Sequence, residues 1–454
     1  MKTHEASYRD PSGFLYERGS VLYRQVNKEY SKHLEYFFSS GLYNKLLKEK
    51  LIVASPRVDI TKRMTEDAHA VLQPEIVPFI SYPYEWCFDE LKDAALLTLR
   101  IQKIALNHGM ILKDASAYNV QFVNSQPIFI DTLSFELYDG YSPWIAYRQF
   151  IEHFLGPLLL MRYVDERALL LHRVSSDGVP LDMIAKLLPK KTLLNTGALL
   201  HIHFQAKVKE VTSSREKKQD SKLGKKKLLN LITHLEQVII KLSVPKANTL
   251  WGKYYSHTNY NEASFKEKSD VISKFLEIIK PSIVWDVGAN NGYFTKLCAK
   301  FAKEIYAFDV DYAATNEHYL YCKKNIDSKT LPLVMDLTNP SPSNGFFHTE
   351  RNSLIMRANA DTVLALALIH HLTLRYSIPF KRSAEFLRAL GNTLIIEFPH
   401  ANDSQVQKLL GHKLGVAHEY SQELFEKSFS EYFNISSKHV LLNANRTIYY
   451  MIGK

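Results

Sequence analysis

The run Val284-Trp-Asp286-Val-Gly288-Ala289-Asn290-Asn291-Gly292-Tyr-Phe294 constrains this chain more than any other stretch. Apolar residues, with one carboxylate among them, lead into glycines and then into helical periodicity, the pattern of a strand turning directly into a helix. The alternation continues through a strand at Ile305–Asp309, a helix at Ala313–Asn325 and a strand at Leu331–Met335. Apolar runs at Thr362–Leu368 and Thr393–Phe398 flank a helical stretch around Arg382–Leu390. Phe433–Leu441 and Arg446–Ile452, with Asn443-Ala-Asn445 between them, read as an antiparallel hairpin closing one sheet edge. The expected fold class is α/β: a Rossmann-like, mostly parallel seven-stranded sheet with helices on both faces.

The turn also carries chemistry. Gly288 lets backbone approach a ligand, and the following helix start aims N–H groups at the ligand's polar end. Asp309 closes the second strand 21 residues later, where a carboxylate accepts hydrogen bonds from ribose hydroxyls. Ala289 and Asn290 occupy the middle of the turn, so it is not the dinucleotide form, and a phosphate loop would need a Gly-Lys-Ser/Thr ending that the chain lacks. Asp286, two residues before Gly288, would repel a pyrophosphate but suits an ammonium group. The ligand that meets all three demands is S-adenosyl-L-methionine, with Asp286, Gly288, Ala289, Asn290, Gly292 and Asp309 as the binding set.

These residues resemble motif I and the second-strand acid of the class I S-adenosylmethionine-dependent methyltransferases. Asp336, in Leu333-Val-Met-Asp336-Leu-Thr-Asn-Pro340, is similar to the residue that meets the adenine amino group there, and equally reads as a turn residue. Asp361-Thr-Val-Leu-Ala-Leu-Ala-Leu-Ile-His370-His371-Leu resembles the fourth strand, whose end faces the transferring methyl. Together with Asp336–Pro342, Ala365–Leu372 and Ile395–Phe398, the N-terminal runs Phe79–Trp86, Leu112–Asn119 and Ile130–Glu136 resemble a bacterial family of two-part methyltransferases similar to host-specific nodulation proteins of the NoeA type. The resemblance spans nearly the whole chain and does not name the acceptor.

The Asn/Asp-Pro-Pro-Tyr/Phe signature of many base N-methyltransferases is absent after the fourth strand, and Ala367–His371 stand there instead. A histidine takes a hydroxyl proton near neutral pH, so the expectation is O-methylation of a small-molecule or glycan acceptor with His370 or His371 as base. The competing reading buries one histidine in the core and caps the strand with the other. Glu397 either lines the acceptor pocket or caps its strand, and Tyr254, Tyr255 and Tyr260 either cover the cofactor or pack. No metal is expected, because Ala367 and Ile369 fill the positions a ligand set would need.

The N-terminal half carries a second pattern. Asp114, then Asn119 five residues on, then Asp131 after a short hairpin resembles a kinase-type catalytic loop, with Asp114 as base and Asn119 and Asp131 as magnesium ligands. Leu91–His108 is the expected long helix before it, and Val77–Tyr84 the hinge strand. Gly13 and Gly19 are spaced for a plain β-hairpin rather than a loop over ATP phosphates, and Arg24 stands where a kinase has lysine. The expectation is an α+β, degenerate kinase-like binding or scaffold domain; an active phosphotransferase half and an unrelated fold are the alternatives.

Domain limits follow from composition: 1–206 for the N-terminal domain, 207–227 for a basic linker and 228–454 for the methyltransferase domain with a helical lead-in at Leu228–Leu242 and a second helix ending near Lys280. Lys207–Lys227 holds nine Lys/Arg against three acidic residues, a charge of +6 out of the chain's +10. Without interleaved aromatics that segment suits solvent better than bases, so nucleic acid is not the expected partner. At 454 residues and 46% hydrophobic the chain can bury more than one core, and no apolar run approaches the roughly 20 residues of a spanning helix. The N-terminus lacks a secretory h-region, and Cys87, Cys298 and Cys322 match no disulfide or zinc spacing. A cytoplasmic protein is expected, of a subunit number that the sequence leaves open.

Overall fold

The computed structural model describes residues 2–207, 224–244, 262–325, 329–410, 420–442 and 444–454. Most of the expected linker and all three of Tyr254, Tyr255 and Tyr260 lie outside the described residues. The chain divides into two compact units, Met1–Pro245 with Ser343–Arg351, and Lys246–Pro342 with Asn352–Lys454.

In the first unit, β1 (Lys2–Thr3), β2 (Gly13–Arg18), β3 (Val21–Asn27), β4 (Arg57–Val58) and β5 (Ala68–Leu72) form an antiparallel sheet in the order β1-β2-β3-β5-β4. Gly19 turns the β2–β3 hairpin with φ +67°, a left-handed conformation that glycine adopts at no steric cost. The long helix α1 (Phe88–Asn107) starts where Glu90 Oε2 accepts from the Cys87 backbone N–H at 2.7 Å. Leu91, Ala94, Ala95, Thr98, Ile101 and Ala105 recur at three- and four-residue spacing and are buried, as one apolar helix stripe should be. Behind it β6 (Met110–Leu112) pairs with β9 (Phe135–Leu137), and β7 (Val120–Val123) with β8 (Gln126–Phe129).

Two expectations are corrected here. Val77–Tyr84 is not a strand; it is irregular and runs into the 3₁₀ turn Pro83–Glu85, because Pro78 and Pro83 cannot donate to a ladder. The helix read as the lead-in to the C-terminal domain, α2 (Lys225–Lys241), belongs to the first unit, where Lys92 Nζ donates to the carbonyls of Ile240 and Leu242 at 2.9 and 2.8 Å.

The second unit is the doubly wound sheet. After α3 (Glu262–Ile279) come β10 (Ile283–Val287), α4 (Tyr293–Cys298), β11 (Glu304–Asp309), α5 (Tyr312–Lys324) and β12 (Thr330–Val334). Then follow β13 (Ala360–Ala365), α6 (Phe380–Leu390), β14 (Gly391–Pro399), α7 (Gln422–Phe429), β15 (Phe433–Val440) and β16 (Arg446–Gly453). The seven strands lie in the order β12-β11-β10-β13-β14-β16-β15. The first five are parallel, and β16 and β15 form the antiparallel edge hairpin. Strand order reverses between β10 and β13, so the crevice beyond their C-terminal ends is the place where such a sheet binds ligands. One face of this sheet packs on Ile272, Leu276, Phe294 and Cys298 from α3 and α4. β13 ends at Ala365, three residues before the apolar run does, and leaves Leu366–Leu368 irregular at that crevice.

Candidate functional site

A cavity of about 370 Å³ opens at the C-terminal ends of β10, β11, β12 and β13. Asp286, Gly288, Ala289 and Asn290 line it from the first turn, Asp309 from the second strand and Asp336 from beyond the third. Parallel pairing of Val287 with Phe308 brings the first two strand ends level, and the Gly288 and Ala289 N–H groups both donate to the Phe308 carbonyl, at 2.8 and 3.0 Å. Gly288 has φ +83°, and a Cβ there would meet only the Leu368 side chain, 3.6 Å away across the cavity. Asn290 takes φ +51°, a left-handed conformation that asparagine tolerates better than most residues.

Of the three carboxylates, Asp286 is buried, and Asp309 and Asp336 are partly exposed at the cavity. Asp286 is 2% exposed and accepts from the Thr295 hydroxyl at 2.5 Å. Burial pushes its pKa up to about 7, the neighbouring Asp309 adding to the shift while Thr295 and Lys268 oppose it. Asp309 accepts the Asn290 N–H on Oδ2 at 2.7 Å and the Asp311 N–H on Oδ1 at 2.9 Å, and burial raises it to about 6. Asp336 Oδ1 accepts from the Thr338 backbone N–H and hydroxyl at 2.9 and 2.6 Å. It is therefore a turn residue that also lines the cavity.

Gly292 and His370 stand elsewhere. Gly292 is not among the residues lining the cavity; it caps α4 at φ +80°, and a Cβ there would lie 2.1 Å from His318 Nε2. Close packing against α5, rather than ligand approach, demands that glycine. His370 is fully buried with no hydrogen-bond partner on either ring nitrogen among the described residues, whereas His371 lines the cavity. Their rings lie 4.1 Å apart, just after the irregular stretch in which Ala367 takes φ +49° and where a π-turn begins at His371. Burial, with Arg375 and Arg446 adding, lowers His371 to about 4 and keeps its imidazole neutral at pH 7.

Glu397 does not line the pocket. It is 0% exposed and holds Lys268 Nζ at 2.7 Å and Arg446 Nη1 at 3.3 Å, while Arg446 Nε meets Asp403 Oδ2 at 2.8 Å. Lys268 itself faces the cavity, and its burial lowers its pKa. Sequence reasoning missed Lys268, although a signal existed: Phe265, Lys268, Ile272 and Phe275 follow a helical stripe in which lysine is the one polar member. Phe265, Phe294, Arg375 and Tyr376 were missed as further lining residues. Among the described residues no group of three or more His, Cys, Asp or Glu is placed to hold a metal.

In the first unit, Asp114, Asn119 and Asp131 come together. Arg24 Nη1 is paired with Asp131 Oδ1, the Ser134 hydroxyl with Asp131 Oδ2, and Asn119 Nδ2 donates to Ser134 Oγ at 3.1 Å. Burial, followed by the charge of Asp131, raises the Asp114 pKa. Arg24, which stands where a kinase would have lysine, is thus paired with one of these acids.

No protein-family model matches the chain. Among solved structures, the chain is similar to magnesium protoporphyrin IX methyltransferase of Synechocystis PCC 6803, at 15% identity over 45% of this chain and 93% of that one with a TM-score of 0.33. It is similar also to the N-methyltransferase NodS of Bradyrhizobium japonicum WM9, at 10% identity over 42% and 98% with a TM-score of 0.30. The nodulation protein NoeA of Rhizobium meliloti strain 1021 is 30% identical over 456 residues, spanning 98% of this chain and 94% of that protein. With both chains matched almost end to end, this protein belongs to the family of the nodulation protein NoeA.

Proposed function

We propose that the chain is an S-adenosyl-L-methionine-dependent methyltransferase acting on a hydroxyl of a small-molecule or glycan acceptor. The observation that carries this reading is the cavity at the switch point of the sheet, lined by Asp286, Gly288, Asp309, Asp336 and His371. The donor set fits the cofactor: a buried carboxylate at Asp286 suits its ammonium, the carboxylate ending β11 suits ribose hydroxyls, and Asp336 suits the adenine amino group. Bound there, S-adenosylmethionine would supply an electrophilic methyl group on a sulfonium.

The chain's own work is alignment, exclusion of water and proton transfer. Leu366, Leu368 and Leu372 form the apolar wall beside His371. The neutral His371 imidazole takes the acceptor hydroxyl's proton on a ring nitrogen, and His370 backs it as packing. Lys268 places a positive charge in the same cavity. Calorimetric titration with S-adenosylmethionine tests the reading: micromolar binding that Gly288→Arg abolishes is expected, and no binding to the well-folded protein would overturn it.

A second reading concerns the first unit, as a kinase-like domain that binds without catalysing phosphate transfer. What favours it is the ion pair of Arg24 with Asp131, which occupies the carboxylate that a magnesium ion would need. Titration with ATP, with and without magnesium, separates the cases. Magnesium-dependent binding lost in Asp114→Ala would instead make the unit a second active site.

A further inference from the structure

The first unit ends in a helical corner with an unusual surface. The turn Lys190–Leu194 and the π-turn Leu199–His203 are tied together by Thr192 Oγ1 and His203 Nε2 at 2.8 Å, with Thr192 buried. Asn195 Oδ1 accepts the Ala198 N–H at 3.0 Å and closes the bend between them. On this rigid frame the large apolar side chains are turned outward: Leu194 is 90% exposed, Phe204 59%, and Leu193, Leu199 and Leu200 are also exposed. Scattered apolar residues need no explanation, but five within twelve residues of chain, held by one hydrogen-bonded corner, form a patch that does.

The charges around the patch say what covers it. Lys186, Lys190, Lys191 and Lys207, within or flanking the same stretch of chain, are exposed, and Asp182 is the one acidic residue between Leu181 and Lys207. The sequence then runs on into the Lys/Arg-rich stretch to Lys227. Leucines rimmed by lysines match an anionic lipid interface, where side chains enter the acyl boundary and ammonium groups meet headgroup phosphates. Nucleic acid suits the patch less, because Phe204 is its one aromatic platform and leucine stacks on no base. No described helix is long and apolar enough to cross a membrane, so any attachment through this corner is peripheral.

We infer that the corner Lys190–Phe204 docks the protein onto anionic membrane surfaces. The test is co-sedimentation of the full chain with extruded vesicles of phosphatidylcholine, with and without phosphatidylglycerol at about one third of the lipid. Binding to the anionic vesicles is expected, with little to phosphatidylcholine alone and a fall as salt is raised. Each lysine near the surface contributes about fivefold, so Lys190→Glu/Lys191→Glu should lower the partition at least tenfold. Leu193→Glu/Leu194→Glu should do so by a similar factor. Both pairs are solvent-exposed, and unchanged circular dichroism and Tm keep the comparison clean.

Absence of binding to anionic vesicles overturns the proposal. So does binding that survives the leucine pair unchanged, since the attraction would then be that of charge elsewhere. A wild-type dimer in analytical ultracentrifugation that the leucine pair dissociates, with no vesicle binding, would assign the patch to a second copy of the chain instead.

Discussion

The Asn290 backbone N–H donates to Asp309 Oδ2 at 2.7 Å, so the turn after the first strand is bonded to the acid that closes the second. Two ligand-facing elements are thereby held in one geometry before any ligand arrives. Asp309→Ala removes both the turn's acceptor and the proposed ribose contact. S-Adenosylmethionine affinity should fall by about tenfold to about 150-fold, at about 1.5–3 kcal/mol for hydrogen bonds to a charged group. Calorimetry of the variant against wild type checks this, and an unchanged Kd would remove Asp309 from the site.

Asp286 and Asp309 both have raised values, about 7 and about 6, desolvation being the largest cause for each and the charge of Asp309 adding to the shift of Asp286. Raised carboxyl values mean that the folded state binds more protons than the unfolded chain between about pH 4 and 7. Their contribution to stability is therefore complete at acid pH and is lost as pH climbs through 7. Binding of a cationic cofactor runs the other way, since it needs Asp286 ionised: Kd should tighten from pH 5.5 to 8. Asp286→Asn should flatten that profile, measured by titration at four or five pH values.

Gly292→Ala should destabilise the protein by about 2–4 kcal/mol, from the left-handed backbone and the collision with His318. Adding His318→Ala should return part of that loss, because it removes the collision and leaves the backbone cost. Urea unfolding of the three variants forms the cycle. No recovery in the double variant would show that the collision is not the cause.

Lys268 and Glu397 form a buried pair at 2.7 Å. Lys268→Met removes the ammonium group from buried Glu397 and should cost about 3–5 kcal/mol. Lys268→Met/Glu397→Gln should cost clearly less than the two single changes added together. Additive effects in chemical denaturation would contradict the pairing.

His371→Ala should reduce formation of S-adenosylhomocysteine by about 10²–10⁴-fold while leaving S-adenosylmethionine Kd near wild type. A small-molecule extract of the producing cells serves as the acceptor source. His370→Ala should lower Tm yet keep most turnover. The reverse pattern would exchange the roles of the two histidines.

The sheet was legible because its signal is local. Ile283–Val287 is apolar at the length of one strand, Gly288 stands where the backbone needs φ above zero, and Asp309 ends the next apolar run. The final hairpin was legible for the same reason, since along the edge strand β15 exposed residues alternate with less exposed ones, beginning at the buried Phe433. Less legible were segments whose course is set by proline or by packing, such as Val77–Tyr84, and α2, whose apolar stripe says that it packs but not on which unit.

By itself, then, the sequence determined the doubly wound order, the glycine turn and the acids at the strand ends, all of which depend on residues adjacent in the chain. Tertiary structure alone decided which of His370 and His371 faces the cavity, because Leu366–Leu368 just before them is irregular and carries no period to read. It alone placed Lys268 on Glu397, 129 residues away, and Arg24 on Asp131, 107 residues away. Such pairs form because a buried charge must find an opposite one, and which one it finds depends on how the elements pack, not on any spacing along the chain.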